Sequence, residues 1–160
     1  MTLWSEENKI YNVLIPVADP WAGSTTGYGV HLENYKRLTY IIPTGVTTSG
    51  AGVVTVNAAV SASGAGTAIA FKYRTCSSAG EYGTLTDSTG LTMTMQREGM
   101  SYIVDVNVDD VAAAGTDYDY STITITEGAQ NTPVVVACVI AVLSEPRYPQ
   151  ATLQHTALTY

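Results

Sequence analysis

Apolar and polar residues alternate with a period of two along much of this chain, and no motif constrains the fold more. In VVTVNAAV, Val54, Val56, Ala58 and Val60 fall on one face. In AIAFKYRTC, Ile69, Phe71, Tyr73 and Thr75 oppose Lys72 and Arg74. In LTMTM, Leu91, Met93 and Met95 oppose Thr92 and Thr94, and YIVDV and STITIT behave alike. Successive residues on opposite sides is the signature of a strand. The many β-branched and aromatic residues agree with it. No segment sustains helical spacing. The nearest candidates are VHLENYKRL and VDDVAAAG. The second predicts one short helical turn, capped by Asp109 and closed by Gly115.

Gly/Ser/Thr-rich breakers separate the runs: TTSGAG, ASGAG, SSAGEYG and TDSTG. The spacing predicts strands at Val13–Val17, Arg37–Pro43, Val53–Ser61, Ala68–Cys76, Leu91–Met95, Ser101–Val106, Tyr120–Thr126 and Val134–Leu143. Short strands at such intervals predict an all-β fold, an antiparallel β-sandwich or jelly-roll-like barrel. Residues 1–30 hold both tryptophans, Trp4 and Trp21, in a Gly/Pro/Thr-rich context, and 145–160 hold two prolines and no clear strand. These read as extended N- and C-terminal arms around a β domain at 31–144.

The run Val134–Leu143 is apolar at every position. That predicts a strand covered on both faces, either as a central sandwich strand or with a neighbouring subunit against it. The second reading puts this strand near the contact of a closed homo-oligomer, with a homotrimer as the favoured form. The run is too short to span a bilayer as a helix, which takes about 20 residues.

Charged residues make up only 13 % of the 160, about half the usual share. With 46 % hydrophobic residues, the chain has the composition of one folded domain. The net charge is −7, with seven lysines and arginines and no basic stripe. This argues against direct nucleic-acid binding and against docking on an anionic membrane. The eleven tyrosines against one phenylalanine suit half-buried rings whose hydroxyls reach water. The start, MTLWSEENK, lacks the basic-then-apolar pattern of a signal peptide. Cys76 and Cys138 form no Cys-x-x-Cys motif and read as free, buried thiols, ahead of a disulfide or a zinc site.

Asp109, Asp110, Asp117 and Asp119 are the densest carboxylates. A calcium loop needs alternating oxygen ligands around a central glycine, and that glycine is absent. Alternation with Tyr118 and Tyr120 instead points Asp117 and Asp119 to solvent, ahead of an adventitious cation site. No carboxylate pair stands out as a glycosidase acid and base. His31 reads as a half-exposed strand-end residue and His155 as a tail residue, and no Gly-x-Ser-x-Gly elbow accompanies either. Phosphate-loop motifs are missing. Trp21, Tyr28 and Tyr35 could form a stacking platform for a sugar, but an interface or core role is the stronger reading. Glu145 and Arg147 flank Pro146 in LSEPRY, a spacing that could hold a charge-assisted hydrogen bond.

Three strings carry a resemblance: VHLENYKRLTYIIPTG, YIVDVNVDDV ahead of a Tyr-bearing strand, and the last strand ending in LSEPRY. Together, over residues 28–148, they resemble small head proteins of tailed bacteriophages, including capsid decoration (cement) proteins. A phage of cyanobacteria is the suggested source. The resemblance implies an all-β, non-enzymatic protein without cofactor or metal. It implies a partner in the major capsid protein and in copies of itself, on the capsid exterior of the virion after synthesis in the host cytoplasm. It also implies that the acidic tract joins two strands. Trp4, Trp21, Tyr28, Arg147 and Tyr148 are the expected partner contacts. The alternative is a carbohydrate- or receptor-binding module of a tail fibre; a hydrolase with an unrecognised carboxylate pair ranks last.

Overall fold

The computed structural model describes residues 4–17, 23–32, 34–45, 52–90, 92–95, 99–127 and 137–147. The chain runs α1 (Trp4–Glu7), β1 (Lys9–Val17), β2 (Ser24–Thr26), β3 (Val30–His31), β4 (Tyr35–Pro43), β5 (Gly52–Ala59), β6 (Thr67–Ala68), β7 (Lys72–Cys76), β8 (Thr86–Asp87), β9 (Thr92–Met95), β10 (Ser101–Asn107), α2 (Val108–Ala113), β11 (Tyr120–Glu127) and β12 (Ala137–Pro146). One antiparallel sheet has the order β1-β12-β4-β10-β7-β8. The other runs β2-β11-β5-β6, with β3 also on β11 and β9 also on β5. The two pack face to face, so of the expected architectures the fold is the β-sandwich.

The alternation becomes the core. From the first sheet, Leu38, Tyr40, Ile42, Val104, Val106, Val139, Ala141 and Leu143 point inward and are buried. Val54, Val56, Ala58, Met93, Met95, Ile123 and Ile125 meet them from the second. Each valine, leucine, isoleucine and methionine among them contributes about 1.5–3 kcal/mol by leaving water. A polar bond crosses the core, where the Tyr40 hydroxyl on β4 donates to Ser121 Oγ on β11 at 3.0 Å. Burial pushes the Tyr40 phenol pKa above its ordinary value, against the opposing pull of Ser121. One end of the sandwich is closed by α2, whose Val108 and Val111 are buried.

The structure corrects several expectations. The strand expected at Val13–Val17 starts at Lys9, and residues 24–26 and 30, placed in an arm by the sequence, are hydrogen-bonded strand residues of the second sheet. The last strand runs past residue 144 to Pro146. Within VHLENYKRL, the described residues hold β3, a Tyr35 N–H bond to Leu32 O at 3.0 Å, and the start of β4 two residues before the expected Arg37. The run 68–76 is not one strand. Its start, β6, pairs with β5 in one sheet, and its end, β7, pairs with β10 in the other. Ile69 and Phe71 stay buried through this crossing, because both sheets share one core, so the alternation continues while the strand does not. The short turn at VDDVAAAG exists, but Asn107 caps it by accepting from Asp109 N–H at 3.2 Å, and Ala114 rather than Gly115 is the C-cap. Cys76 and Cys138 are free, yet half-buried rather than buried.

The β12 strand is central, between β1 and β4, so its own sandwich covers Val139, Ala141 and Leu143. Only the opposite side, Cys138, Ile140 and Val142, is left outward. Residues 134–136 of that expected strand, and Leu91 of another, lie outside the described residues.

Candidate interaction surface

Strand β12 is apolar at odd and even positions alike, so filling the core with one set leaves an apolar set outside. The neighbouring strands repeat this. Ile41 follows buried Tyr40 and precedes buried Ile42; Ile103 lies between buried Tyr102 and Val104. Register then aligns them. Asn12, Ile140, Ile41, Ile103 and Arg74 are successive cross-strand partners on β1, β12, β4, β10 and β7. Beside this row run Ile10, Val142, Thr39, Asp105 and Lys72 on the same strands. The result is an outward aliphatic block over β1, β12, β4 and β10. Within it Ile10 is 53 % exposed.

Toward β7 and β8 the same face turns polar and concave. A groove of about 840 Å³ is lined there by Lys36, Arg37, Lys72 and Arg74 among others, four of the seven lysines and arginines of the chain. Facing carboxylates answer them. Arg37 Nε lies 3.1 Å from Glu145 Oε1, and Lys72 pairs with Asp87. Thr39 donates to Asp105 at 2.9 Å, and Arg74 sits over the exposed Tyr82 ring. The ion-paired groups are solvent-exposed, so each pair contributes about 0–1 kcal/mol.

The second sheet presents a different exterior. Thr26, Thr124, Thr55 and Thr92 are successive cross-strand partners on β2, β11, β5 and β9. Ser24, Thr126, Val53 and Thr94 form the adjacent row. Hydroxyls bond across it: Ser24 to Thr126 at 3.2 Å and Thr26 to Thr124 at 3.0 Å.

The expected contact residues do not gather in one place. Trp4 lies on α1 and is 58 % exposed. Tyr28 is 66 % exposed at the other sheet's end. It is held out by a close backbone approach: a Cβ on Gly29 would lie 2.5 Å from Ala62 Cα, and Gly29 N–H donates to Ala62 O at 3.0 Å. Arg147 follows β12, its Nη2 3.2 Å from Asp109 Oδ1. Glu145 and Arg147 thus bond to separate partners, not to each other. Trp21, Tyr148 and His155 lie outside the described residues. Tyr35 packs against the core, so it does not join Tyr28 in a platform.

The acidic tract is dispersed as well. Asp109 and Asp110 sit in the first turn of α2, and Asp117 occupies a turn at φ 62°. Asp119 lies 3.0 Å from His31 Nε2, whose ring is 4.7 Å from that of Tyr120. Among the described residues, no three His, Cys, Asp or Glu side chains converge as metal ligands.

The sequence matches no family model and no curated protein. Among solved structures it is similar to the SPBc2 prophage-derived protein YomS, over 87 % of this chain and 94 % of that one, with a TM-score of 0.50 and 12 % identity. At that identity the likeness is one of fold.

Proposed function

We propose that this chain is a structural protein of a bacteriophage particle, a decoration or cement protein on the outside of the assembled head. The observation that carries the reading is the outward aliphatic block of the first sheet, on a domain whose other surface is threonine-rich and sparsely charged. Such a surface suits burial against other protein chains. The prophage origin of the protein that shares its fold supports the same direction. In this reading the chain is not an enzyme and holds no cofactor or metal. Its partners are the major capsid protein and further copies of itself. The exposed Trp4 and Tyr28, with Arg147, are the shell contacts. The aliphatic block is the self contact.

A protein that binds only the assembled lattice stabilises it by mass action, by about 2.7 kcal/mol per site at a hundred times Kd. The test is co-sedimentation of purified protein with phage heads that lack it, followed by heating. Saturable binding and a higher disassembly temperature are expected, both reduced by Trp4→Ala and Tyr28→Ala. Absence of binding to heads, with binding on a glycan array, would instead establish the tail-fibre alternative.

A further inference from the structure

We infer that the outward face of the first sheet binds a second copy of this chain, back to back, about a twofold axis that runs along β4 through Ile41. The central row reads Asn12, Ile140, Ile41, Ile103, Arg74 across five strands. It is symmetric about its middle: a polar side chain, three isoleucines, a polar side chain. An isologous contact requires that property, since each half of the surface must fit the other half.

A twofold along β4 lays Ile41 on Ile41 of the second copy and Ile140 on Ile103. It sets the Arg74 guanidinium against the Asn12 amide carbonyl, once at each end. Aligned packing of two sheets about 10 Å apart is the ordinary geometry for such faces.

Edge-to-edge growth is the rival way for a sheet to recruit a copy. Here β1, the long edge strand, carries two register irregularities, between Asn12 and Leu14 and between Leu14 and Val17. Such breaks blunt an edge. The opposite edge, β8, is only Thr86–Asp87.

Size favours the whole row over the aliphatic block alone. Strands lie about 4.8 Å apart and alternate residues about 6.7 Å apart; with the two rows above, the outward positions Pro43, Ser101 and Cys76 on one side and Ser144, Arg37 and Asn107 on the other bring the face to roughly 500 Å² per copy. A pair buries about 1,000 Å², the lower limit for specific association, whereas the isoleucines alone fall short of it. The contact therefore needs its polar ends, and it belongs in the micromolar range. Three charges are misfits: the axis places Asp105, which accepts from Thr39, over Val142 and Lys72 over Ile10 of the second copy, and brings Arg37, paired with Glu145, beside its own counterpart.

Sedimentation equilibrium of the purified chain from 1 to 200 µM tests this without any phage head. A dimer can therefore fail while head binding stands, and the reverse. The mass should rise from that of one 16.9 kDa chain toward twice that value. Ile41→Lys should weaken the dimer roughly 30-fold or more, as loss of a central anchor does. Asp105→Ala should tighten it several-fold, which a merely unfolded variant cannot imitate; circular dichroism checks each fold. With Cys76→Ser and Cys138→Ser in place, Thr39→Cys lies on the axis and should cross-link to itself with a short bismaleimide. A monomer at every concentration, a trimer, or a dimer indifferent to Ile41→Lys would each overturn the twofold.

Discussion

The outside of the first sheet presents Ile41, Ile103, Ile140 and Val142; the outside of the second presents Thr55, Thr92, Thr124 and Thr126. All are β-branched and all suit a pleated surface equally. Strand formation does not distinguish them. Hydration does. A threonine hydroxyl exposed on a sheet bonds to water or to its neighbour, as Thr26 and Thr124 do. An isoleucine in the same place leaves apolar area in water at a cost of about 25 cal/mol per Å². One face is finished when the chain folds alone; the other keeps aliphatic side chains outward, where the proposed second copy would cover them.

The inner sides of the same sheets differ far less, and that sets the largest expected effect. Tyr40 is fully buried and its hydroxyl joins the two sheets through Ser121. Tyr40→Ala should cost about 3–5 kcal/mol, as large aromatic deletions in cores do. Tyr40→Phe keeps the ring and leaves Ser121 Oγ without this partner, at about 1–3 kcal/mol. Urea titration of both variants measures the two values. A Tyr40→Phe cost near zero would mean that apolar packing alone holds the sheets together.

The same phenol gives a pH dependence. Its folded pKa lies above its unfolded value of about 10. Above that pH the unfolded chain releases the proton while the folded chain retains it, so stability is intact below about pH 10 and falls as pH rises further. Tyr40→Phe should flatten that alkaline limb. An unchanged slope would assign it to other groups.

How much of this was legible in the sequence follows from what alternation reports. It records which side of a strand faces the core, so Val54, Val56, Met93 and Ile123 were readable as inward. It does not record which sheet a strand joins, because both sheets share the core; hence the run at 68–76 concealed a crossing at Ile69–Phe71. The outward isoleucines left a trace only as apolar residues at both parities, in YIIP, YIV and ACVIAVL. Their assembly into one row depends on register, which no single strand encodes. The helix cap fell to Asn107 rather than Asp109 because β10 extends to Asn107, and cap chemistry alone fits either residue.

Two residues at the outer ends of strands sharpen the contrast by a smaller amount. Asp117, just before β11 of the second sheet, and Glu145, near the end of β12 in the first, both have left-handed backbones, at φ 62° and 57°. Alanine there meets a steric cost that glycine avoids. At both positions the glycine variant should exceed the alanine variant by about 1 kcal/mol, the reverse of the usual order within a strand. Calorimetry would register this as roughly 2–4 °C. Glu145→Gly also removes the exposed pair with Arg37. Any deficit of Glu145→Gly relative to Asp117→Gly then measures that pair, expected at about 0–1 kcal/mol.

Exchanging the two exteriors should move stability least of all. Ile41→Thr, Ile103→Thr and Ile140→Thr together make the first face resemble the second; Thr55→Ile with Thr124→Ile does the opposite. The isoleucines are half-buried by their neighbours and not by the core, so each change should stay within about 0.5 kcal/mol in thermal unfolding of the dilute chain. The Thr124→Ile change adds the loss of hydroxyl bonds to Thr26 at the surface and to part-buried Asn57. What should move is the exposed apolar patch. Binding of an anilinonaphthalene sulfonate dye should fall in the first variant and appear on the second face in the other. A loss of several kcal/mol in the triple variant would show that the isoleucine row belongs to the core, and the two faces would then differ in burial instead of in what they await. Unchanged dye binding in the Thr→Ile pair would show that flanking side chains, not hydroxyls, keep the second face wetted.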